Sequence, residues 1–468
     1  MISMTLDEIA EVVGGRVVDG PGDLEVAGGP SRDSREVEPG GLFVAIDGQR
    51  VDGHDFAVAA VAAGASAALV SRSVGVPAVQ VDDVVAALGR LAAHVVAALP
   101  HLTVIGLTGS QGKTTTKDLL ALVLERFGET VAPEGSLNNE IGVPLTALRA
   151  TSSTRYLVLE MGARRRGHIS YLTSIAPVSV GLVLNVGVAH LGEFGSRTEI
   201  AAAKGELVEG LPVGGLAVLN ADDAEVAAMR GRTSAHVVTF GVSLAADVQI
   251  SDVGLDDVGR VSFALAVGGV RAHLQLGLVG EHHAGNAAAV VAVTTGLGLA
   301  LPGVLSVLDG ARPRSPWRME VEASVEGVTV INDAYNANPD SMQAAVETLA
   351  EIGRRRGRPS RTFAVLGEML ELGPESVAAH VAVGRLAGRL GVSQLIVVGE
   401  GARAISVGAE QTGAGQQQPV LVGDVAEAIA YVQGAVQGGD VVLVKASRAV
   451  GLERVALALL GDTTGAGT

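Results

Sequence analysis

Residues 102–128 read LTVIGLTGSQGKTTTKDLLALVLERFG. The apolar run at the start predicts a strand, and the apolar residues after Lys113 recur at helical spacing, which predicts a helix. Glycines stand between them at Gly106, Gly109 and Gly112. A strand, a glycine-rich loop and a helix in this order form a site for nucleotide phosphates, because loop amides and the positive end of the helix face the anion.

This phosphate loop has a variant sequence, with leucine at position 107 where the strict pattern has glycine. Lys113 is expected to reach the β- and γ-phosphates, and the Thr114 hydroxyl to bind Mg²⁺. An ordinary glycine turn before a helix is the alternative, which the Gly-Lys-Thr core disfavours. The loop alone does not separate a hydrolase, kinase, ligase or motor. The candidate ATP-binding residues here are Gly109, Ser110, Gln111, Gly112, Lys113, Thr114 and Thr115.

Composition narrows the class of protein. The chain has 468 residues, 48% hydrophobic and 18% charged, which suggests about three domains and excludes disorder over the whole chain. The formal net charge of −16 argues against general affinity for nucleic acid or anionic membranes, which are bound through basic surfaces. There is no cysteine, so disulfides and cysteine–metal sites are excluded.

The whole sequence predicts an α/β protein of three domains. Residues 1–99 contain short apolar runs and helical stretches, typical of a small mixed α/β domain. In residues 100–315 the runs YLVLE, VGLVLNVG and LAVLN alternate with helical stretches, which predicts a central phosphate-loop domain with a mostly parallel sheet. Residues 316–468 contain five β-rich runs, mostly separated by helical stretches, which predict a Rossmann-like doubly wound domain.

Two uncharged stretches, residues 169–188 and 287–308, are long enough to cross a bilayer. Pro177 and Asn185 interrupt the first, and three glycines and Pro302 interrupt the second. We interpret each as helix, turn and strand of a water-soluble protein. The N-terminus also lacks the apolar core of a secretory signal. We therefore expect a cytoplasmic protein without membrane insertion.

Four side chains outside the loop are candidates for the chemistry, each with an ordinary alternative. Glu160 ends the run YLVLE, so a parallel sheet would place its carboxylate at the ligand edge, where it suits Mg²⁺; the alternative is a solvated strand end. His190, in a glycine-rich loop, is a candidate metal or substrate ligand, although a lone histidine is more often structural. Lys204, on a helix, would ordinarily be a solvated lysine. Asp333 ends a strand and is a candidate ribose or base contact, unless the polar residues there only cap the next helix.

Segments across essentially the whole chain resemble the Mur ligase family, whose members add amino acids to the bacterial cell-wall precursor with ATP. The first domain carries DSREVEPGGLFVAIDGQRVDGHDF, which resembles the UDP-binding domain of later-acting members. The central domain carries TGSQGKTTTK, LNNEIGVP, LEMGA, NVGVAHLGEFGS and AAAKGE, and the third carries DAYNANPDSM, LGEMLELG and VKASR. DAYNANPDSM and VKASR favour the member that joins D-alanyl-D-alanine to UDP-N-acetylmuramoyl-tripeptide.

The resemblance implies roles for particular residues. It assigns Lys113 and its loop to the ATP phosphates, Thr114 and Glu160 to one Mg²⁺, and His190 to a second Mg²⁺. It also implies that Lys204 becomes a carbamate, an anionic oxygen ligand for the second ion. It further implies that Asn286 contacts adenine, Asp333 the ribose, Asn336 the base and Arg318 a phosphate. By the same resemblance, Ser34 contacts uridine, and Asn138 and Asn139 line the central substrate cleft.

The implied chemistry is ADP-forming amide synthesis through an acyl phosphate, with ATP and two Mg²⁺, in a monomer whose third domain closes over ATP and binds the amine. Two alternatives stay open. One is another ligase of the superfamily with a different amine substrate, including one that extends folate with glutamate. The other is a module that binds or hydrolyses ATP without ligation. The third residue of the peptide, diaminopimelate or lysine, also stays open.

Overall fold

The computed structural model describes residues 1–48, 51–187, 194, 196–356, 360–412 and 418–461. Its strands form three large sheets and one two-stranded pair. The three large sheets take their strands from successive parts of the chain, and the predicted mixed α/β fold with parallel-rich sheets is confirmed. The domain boundaries at 99/100 and 315/316 stay a prediction.

The first part of the chain forms a five-stranded sheet and the short antiparallel pair. Its strands are β1 (Met4–Thr5), β2 (Arg16–Val18), β3 (Glu25–Val26), β4 (Pro30–Ser31), β5 (Leu42–Val44), β6 (Ala67–Val70) and β7 (Ala78–Gln80). Its helices are Leu6–Val13, Gly53–Phe56 (3₁₀), Ala57–Ala62 and Val84–Ala97. The sheet order is β2-β7-β6-β5-β4, and only β2 is antiparallel to its neighbour.

The middle of the chain forms a nine-stranded sheet. Its strands are β8 (Thr103–Thr108), β9 (Thr130–Val131), β10 (Tyr156–Glu160), β11 (Val180–Val183), β12 (Leu216–Asn220), β13 (His236–Gly241), β14 (Val248–Leu255), β15 (Arg260–Val267) and β16 (Val270–Val279). Its described helices are Lys113–Glu125, Gly142–Ala147, His168–Ile175, Arg197–Glu209, Ala224–Ala228, Met229–Arg232 (3₁₀), His282–Gly296 and Leu301–Leu308. The order is β16-β15-β14-β13-β12-β11-β8-β10-β9. Strands β8 to β14 run parallel, whereas β15 and β16 add an antiparallel edge.

The third part forms a six-stranded sheet. Its strands are β17 (Glu320–Ala323), β18 (Thr329–Asn332), β19 (Thr362–Leu366), β20 (Gln394–Val398), β21 (Val420–Val422) and β22 (Val441–Lys445). Its described helices are Pro339–Arg356, Gly373–Glu375 (3₁₀), Ser376–Arg389, Glu400–Ala402 (3₁₀), Ala404–Glu410, Val425–Ala435, Arg448–Val450 (3₁₀) and Glu453–Leu460. The order is β17-β18-β22-β19-β20-β21, and all neighbours are parallel except β17 and β18.

One of the two uncharged stretches does not form the predicted helix, turn and strand. Residues 287–308 contain the end of helix His282–Gly296 and then a second helix, Leu301–Leu308, rather than a strand. Pro302 lies in the first turn of that second helix, where its missing N–H is no loss. Residues 169–187 do form helix, turn and strand. No helix in the described ranges is both long and apolar enough to cross a membrane.

The central strands are buried on both faces, which explains their continuous apolar sequences. One apolar cluster covers one face of the nine-stranded sheet and continues into the first part of the chain through helix Val84–Ala97. A second covers the opposite face, where helix His282–Gly296 packs. Separate clusters line the two faces of the six-stranded sheet. These layers hold the carboxyl ends of the parallel strands in fixed positions.

The segment that enters the third sheet is fastened to the phosphate-loop helix. Asp118 of this helix accepts the backbone N–H of Ser315 at 3.0 Å. The same carboxylate lies 2.5 Å from the ammonium of Lys117, whose side chain is only 3% exposed. Lys117 also donates to the carbonyl of Pro133 at 2.8 Å. The buried pair therefore links the phosphate-loop helix to the third part of the chain.

Replacing Asp118 with alanine is expected to lower the melting temperature by several degrees, because it leaves the buried ammonium of Lys117 without its counter-charge. Breaking one side of a buried ion pair costs roughly 3–5 kcal/mol. The control is Glu125→Gln, which removes a half-exposed pair with Arg314 worth about 1 kcal/mol or less. Calorimetric melting of the two variants measures the difference. Equal small shifts would contradict the anchoring role of Asp118.

Candidate active site

The phosphate loop, residues 109–112, joins β8 to the helix that begins at Lys113. Gly112 precedes that helix with φ +78°, a left-handed conformation that residues with side chains rarely adopt. A Cβ at this position would also lie 2.7 Å from the amide oxygen of Asn286. The ammonium of Lys113 donates to the carbonyl of Gly109 at 2.7 Å. The loop therefore combines a free helix N-terminus with a cation, the combination that binds phosphate.

Asn185 fixes the shape of this loop. It follows β11, which pairs with β8, and its side-chain oxygen accepts the N–H groups of Ser110 and Gln111 at 2.8 and 3.0 Å. Its amide nitrogen donates to the carbonyl of Gln111 at 3.2 Å. Asn185 was not among the predicted site residues, although it opens the motif NVGVAHLGEFGS. It comes two residues after β11, and its contacts with the loop join residues 75 and 74 positions apart, so the sequence alone does not indicate them.

Glu160 lies beside the loop and is fully buried, so the alternative of a solvated strand end is wrong. Strand pairing places it opposite Leu107 of β8. One carboxylate oxygen accepts the hydroxyl of Thr114 at 2.9 Å. The other accepts the amide of Asn138 at 2.8 Å and the hydroxyl of Ser136 at 3.1 Å. Ser136 is a further residue of the site that was not predicted from the sequence.

The oxygen atoms at this point fit Mg²⁺. The three side chains that donate to Glu160 are neutral, so its buried charge would be offset well by a cation. Carboxylate and hydroxyl oxygens are ligands that Mg²⁺ accepts, and the ion usually completes its shell with phosphate oxygens and water. The described ranges contain no group of three or more His, Cys, Asp or Glu side chains arranged for a metal. Thr114 and Glu160 are thus the metal candidates that the structure places together.

Lys204 is buried, at 5% exposure, on helix Arg197–Glu209. Burial lowers the pKa of its ammonium well below the usual value, and the positive charge of Lys113 lowers it further. The alternative of a solvated lysine is therefore wrong. These surroundings favour the neutral amine, which is the nucleophilic form. His190, the other candidate ligand for a second ion, lies outside the described residues.

Most of the candidate site residues line one cavity of about 280 Å³. Its wall includes loop residues, the Glu160 carboxylate and the side chain of Lys204. The sequence-predicted residues that line it are Gly109, Gln111, Gly112, Lys113, Thr114, Asn138, Asn139, Glu160, Lys204, Arg318 and Asn336. Ser34 lies elsewhere, in the turn after β4 of the first sheet.

Arg318 brings a positive charge from the third part of the chain to the phosphate loop. Its guanidinium donates to the hydroxyl of Thr114 at 3.0 Å. The guanidinium carbon also lies 4.1 Å from the centre of the Tyr335 ring, so a cation–π contact orients it. Arg318 therefore lines the cavity beside Thr114 and adds a positive charge from the third part of the chain.

A second cavity, of about 90 Å³, lies between the loop and the third sheet. It is lined in part by Thr115, Asp333, Asn336 and Lys445. The ammonium of Lys445 lies 2.6 Å from one carboxylate oxygen of Asp333 and donates to the carbonyl of Asn336 at 2.9 Å. Burial lowers the pKa of Lys445, and Asp333 opposes that shift. Lys445 was not a candidate, although the motif VKASR contains it.

Asn286 lies against the phosphate loop at Gly112. It is buried at 7% exposure, and its amide group lies 3.1 Å from a ring nitrogen of His283. Its oxygen faces Gly112, as the close approach of a Cβ built there indicates. The lining of the two cavities described above does not include it. Contact with adenine stays a prediction for this residue.

Three family models match the chain in order. The Mur ligase family, catalytic domain model matches residues 31–96, the Mur ligase middle domain model matches residues 107–294, and the Mur ligase glutamate ligase domain model matches residues 317–448. Together they cover well over half of the sequence.

Relatives match over nearly the full length. The UDP-N-acetylmuramoyl-tripeptide–D-alanyl-D-alanine ligase of Mycobacterium tuberculosis is 47% identical, with 99% of each chain covered, and that of Escherichia coli is 36% identical, with 99% of this chain and 100% of the relative covered. A crystal structure of MurF from Acinetobacter baumannii superposes with a TM-score of 0.85 at 31% identity, covering 98% of this chain and 99% of the other. MurF ligase from Thermotoga maritima, crystallised with ADP, gives a TM-score of 0.78 at 31% identity, with 93% and 98% covered. The chain belongs to the Mur ligase family.

Proposed function

We propose that this protein is an ATP-dependent, ADP-forming ligase that joins D-alanyl-D-alanine to UDP-N-acetylmuramoyl-tripeptide in peptidoglycan precursor synthesis. The full-length similarity to ligases of that name supports the substrates. The observation that carries the chemistry is the cavity in which Lys113, Glu160, Lys204 and Arg318 meet. An ATP-binding module without ligation would not need this cavity beyond the phosphate loop.

The residues of the cavity suit transfer of a phosphoryl group to a carboxylate. The terminal carboxylate of the peptide attacks the γ-phosphorus of ATP, ADP leaves, and an acyl phosphate forms. Lys113 and Arg318 offset the negative charge on the transferred group, and Mg²⁺ adds further positive charge when bound. The free amine of the dipeptide then attacks the acyl carbon, and the tetrahedral intermediate releases phosphate and leaves an amide. Closure of the third part of the chain over ATP would exclude water from the acyl phosphate.

The decisive experiment measures phosphate release from ATP with the nucleotide tripeptide, with and without D-alanyl-D-alanine. We expect release to require both substrates and the product mass to rise by the added dipeptide. Release with another amine only would keep the family and exclude this substrate. Release that ignores every amine would leave only an ATP-hydrolysing module.

We further propose that Thr114 and Glu160 hold one Mg²⁺, and that His190 and a carbamate on Lys204 hold a second. Asp333 and Asn336 would contact the nucleoside of ATP, together with Asn286. Asn138 and Asn139 would line the substrate cleft, and Ser34 would contact uridine. The domains would be 1–99 for the UDP-linked precursor, 100–315 for ATP, and 316–468 for closure and the amine.

We also propose that the protein acts as a monomer in the cytoplasm. A single chain supplies every group named in the cavity, from the loop to Arg318. Size-exclusion chromatography with light scattering checks the monomer. A dimer that persists at nanomolar concentration would contradict it.

Replacing Glu160 with glutamine is expected to raise the Mg²⁺ concentration for half-maximal activity by at least about tenfold, because an anionic ligand becomes a neutral one of the same shape. Titrating phosphate release with MgCl₂ measures the shift. Ser136→Ala, which removes only one hydrogen bond to the carboxylate, serves as the control and should shift the requirement much less. An unchanged Mg²⁺ requirement in Glu160→Gln would remove this residue from the metal site.

A further inference from the structure

An ion pair crosses the mouth of the larger cavity. Arg164 lies in the loop after β10, four residues beyond Glu160, and its guanidinium is 3.5 Å from a carboxylate oxygen of Glu371. Glu371 comes from the loop after β19 of the third sheet. Both side chains line the cavity, and they are 63% and 46% exposed. None of the roles proposed above uses either residue.

The backbone of Glu371 has an unfavourable conformation. Its φ is +64°, a left-handed conformation that is unfavourable for a residue with a side chain. Leu372, which follows it, and Met369, two residues before it, are buried, whereas Leu370 is exposed. The N–H of Met369 donates to His380 at 2.9 Å. The N–H of Leu370 donates to the hydroxyl of Ser447, also at 2.9 Å. A strained residue fixed by its surroundings is typical of a functional position.

The geometry points to Arg164 and Glu371 as a recognition pair for the ammonium and the carboxylate of a zwitterionic substrate, with Glu371 binding the ammonium and Arg164 the carboxylate. This inference rests on the proposed function, which brings such a substrate to the cavity. The planar guanidinium can bind a carboxylate through two parallel N–H groups. An exposed pair at 3.5 Å is weak, so separating its members to admit a zwitterion costs little.

Two substrates of the proposed reaction could present this chemistry. D-alanyl-D-alanine carries an ammonium at one end and a carboxylate at the other. In a tripeptide whose third residue is diaminopimelate, the last carbon of that side chain carries both an ammonium and a carboxylate. With lysine as the third residue, the side chain carries only the ammonium. Both sources carry an ammonium and a carboxylate, at opposite ends of the dipeptide but on one carbon of diaminopimelate. Removing the carboxylate from each substrate in turn distinguishes them.

The experiment measures KM and kcat of the full-length protein with each carboxylate removed in turn. The first arm compares D-alanyl-D-alanine with its C-terminal amide. The second compares nucleotide tripeptides that contain diaminopimelate or lysine. The variants are Arg164→Gln and Glu371→Gln, and the control is Arg165→Gln, an exposed neighbour outside the cavity lining.

We expect the wild type to have a KM about 10- to 100-fold higher for the substrate without the carboxylate, the effect of losing a charged hydrogen bond. Arg164→Gln should raise KM for the full zwitterion by a similar factor, abolish the preference and change kcat little. Glu371→Gln should raise KM for both forms, and Arg165→Gln should behave as wild type. The comparison in which Arg164→Gln loses the preference for the substrate with the carboxylate identifies the substrate that the pair binds.

Two negative outcomes are distinguishable. If the wild type ligates D-alanyl-D-alanine and Arg164→Gln keeps the wild-type preference in both arms, the recognition pair is wrong while the proposed function stands. If the wild type ligates no dipeptide, the proposed function fails first, and this inference fails with it.

Discussion

Replacing Lys113 with alanine is expected to slow ATP-dependent ligation by about 10³-fold or more while the protein stays folded. The ammonium is the cation of the phosphate loop, and removing one preorganised charge from a phosphoryl-transfer site costs at least this much. Burial lowers the pKa of Lys113, whereas the nearby Glu160 carboxylate raises it, so that carboxylate supports the charged form. Single-turnover phosphate release with all substrates measures the effect.

The control for Lys113→Ala is Arg126→Ala, at the exposed carboxyl end of the same helix. It removes one positive charge from the same element, so a general electrostatic effect would slow both variants. Circular dichroism and the melting temperature check that both remain folded. A folded Lys113→Ala that turns over at the rate of Arg126→Ala would contradict the assignment of the phosphate loop.

The parallel core of the fold could be predicted because its strands are buried on both faces and read as uninterrupted apolar runs. The antiparallel edge was missed, since its strands are covered on one face only. In β15, Phe263 and Leu265 are buried and alternate with less buried residues, and Leu274, Leu276 and Leu278 do the same in β16. The turn between these strands is Gly-Gly with positive φ at both residues, which is a hairpin signal. Alternation with a period of two, together with this turn, is the sequence signal that predicts the antiparallel edge.

The residues of the candidate site that come at the end of a strand, or directly after it, could be predicted from the sequence. The phosphate loop and Glu160 are of this kind, and strand register then places them side by side. The sequence did not predict which polar groups orient them. Asn185 and Ser136 act through contacts between residues far apart in the chain, which one sequence read alone does not reveal.

The electrostatics of the cavity support the proposed carbamate on Lys204. Lys204 is buried close to the cation Lys113, and Arg318 is a further positive charge in the wall. A second buried ammonium is unfavourable there, so the neutral amine predominates well below the usual lysine pKa. A neutral amine adds to carbon dioxide, and loss of a proton leaves a carbamate anion. That anion reverses the sign of the side chain and supplies oxygen atoms for a cation.

Replacing Lys204 with alanine is therefore expected to reduce ligation by about 10²-fold or more, comparable to losing one preorganised charged group at a reacting centre. Bicarbonate or a short carboxylic acid should restore this variant in part by occupying the space of the carbamate. The wild type should lose activity in buffer depleted of carbon dioxide and regain it on addition of bicarbonate. Because carbamate formation needs the neutral amine, and burial lowers the pKa of Lys204, this regain should disappear as the pH falls through that pKa. Wild-type rates in Lys204→Ala would remove the residue from the mechanism, and a wild type indifferent to carbon dioxide would leave it an unmodified amine.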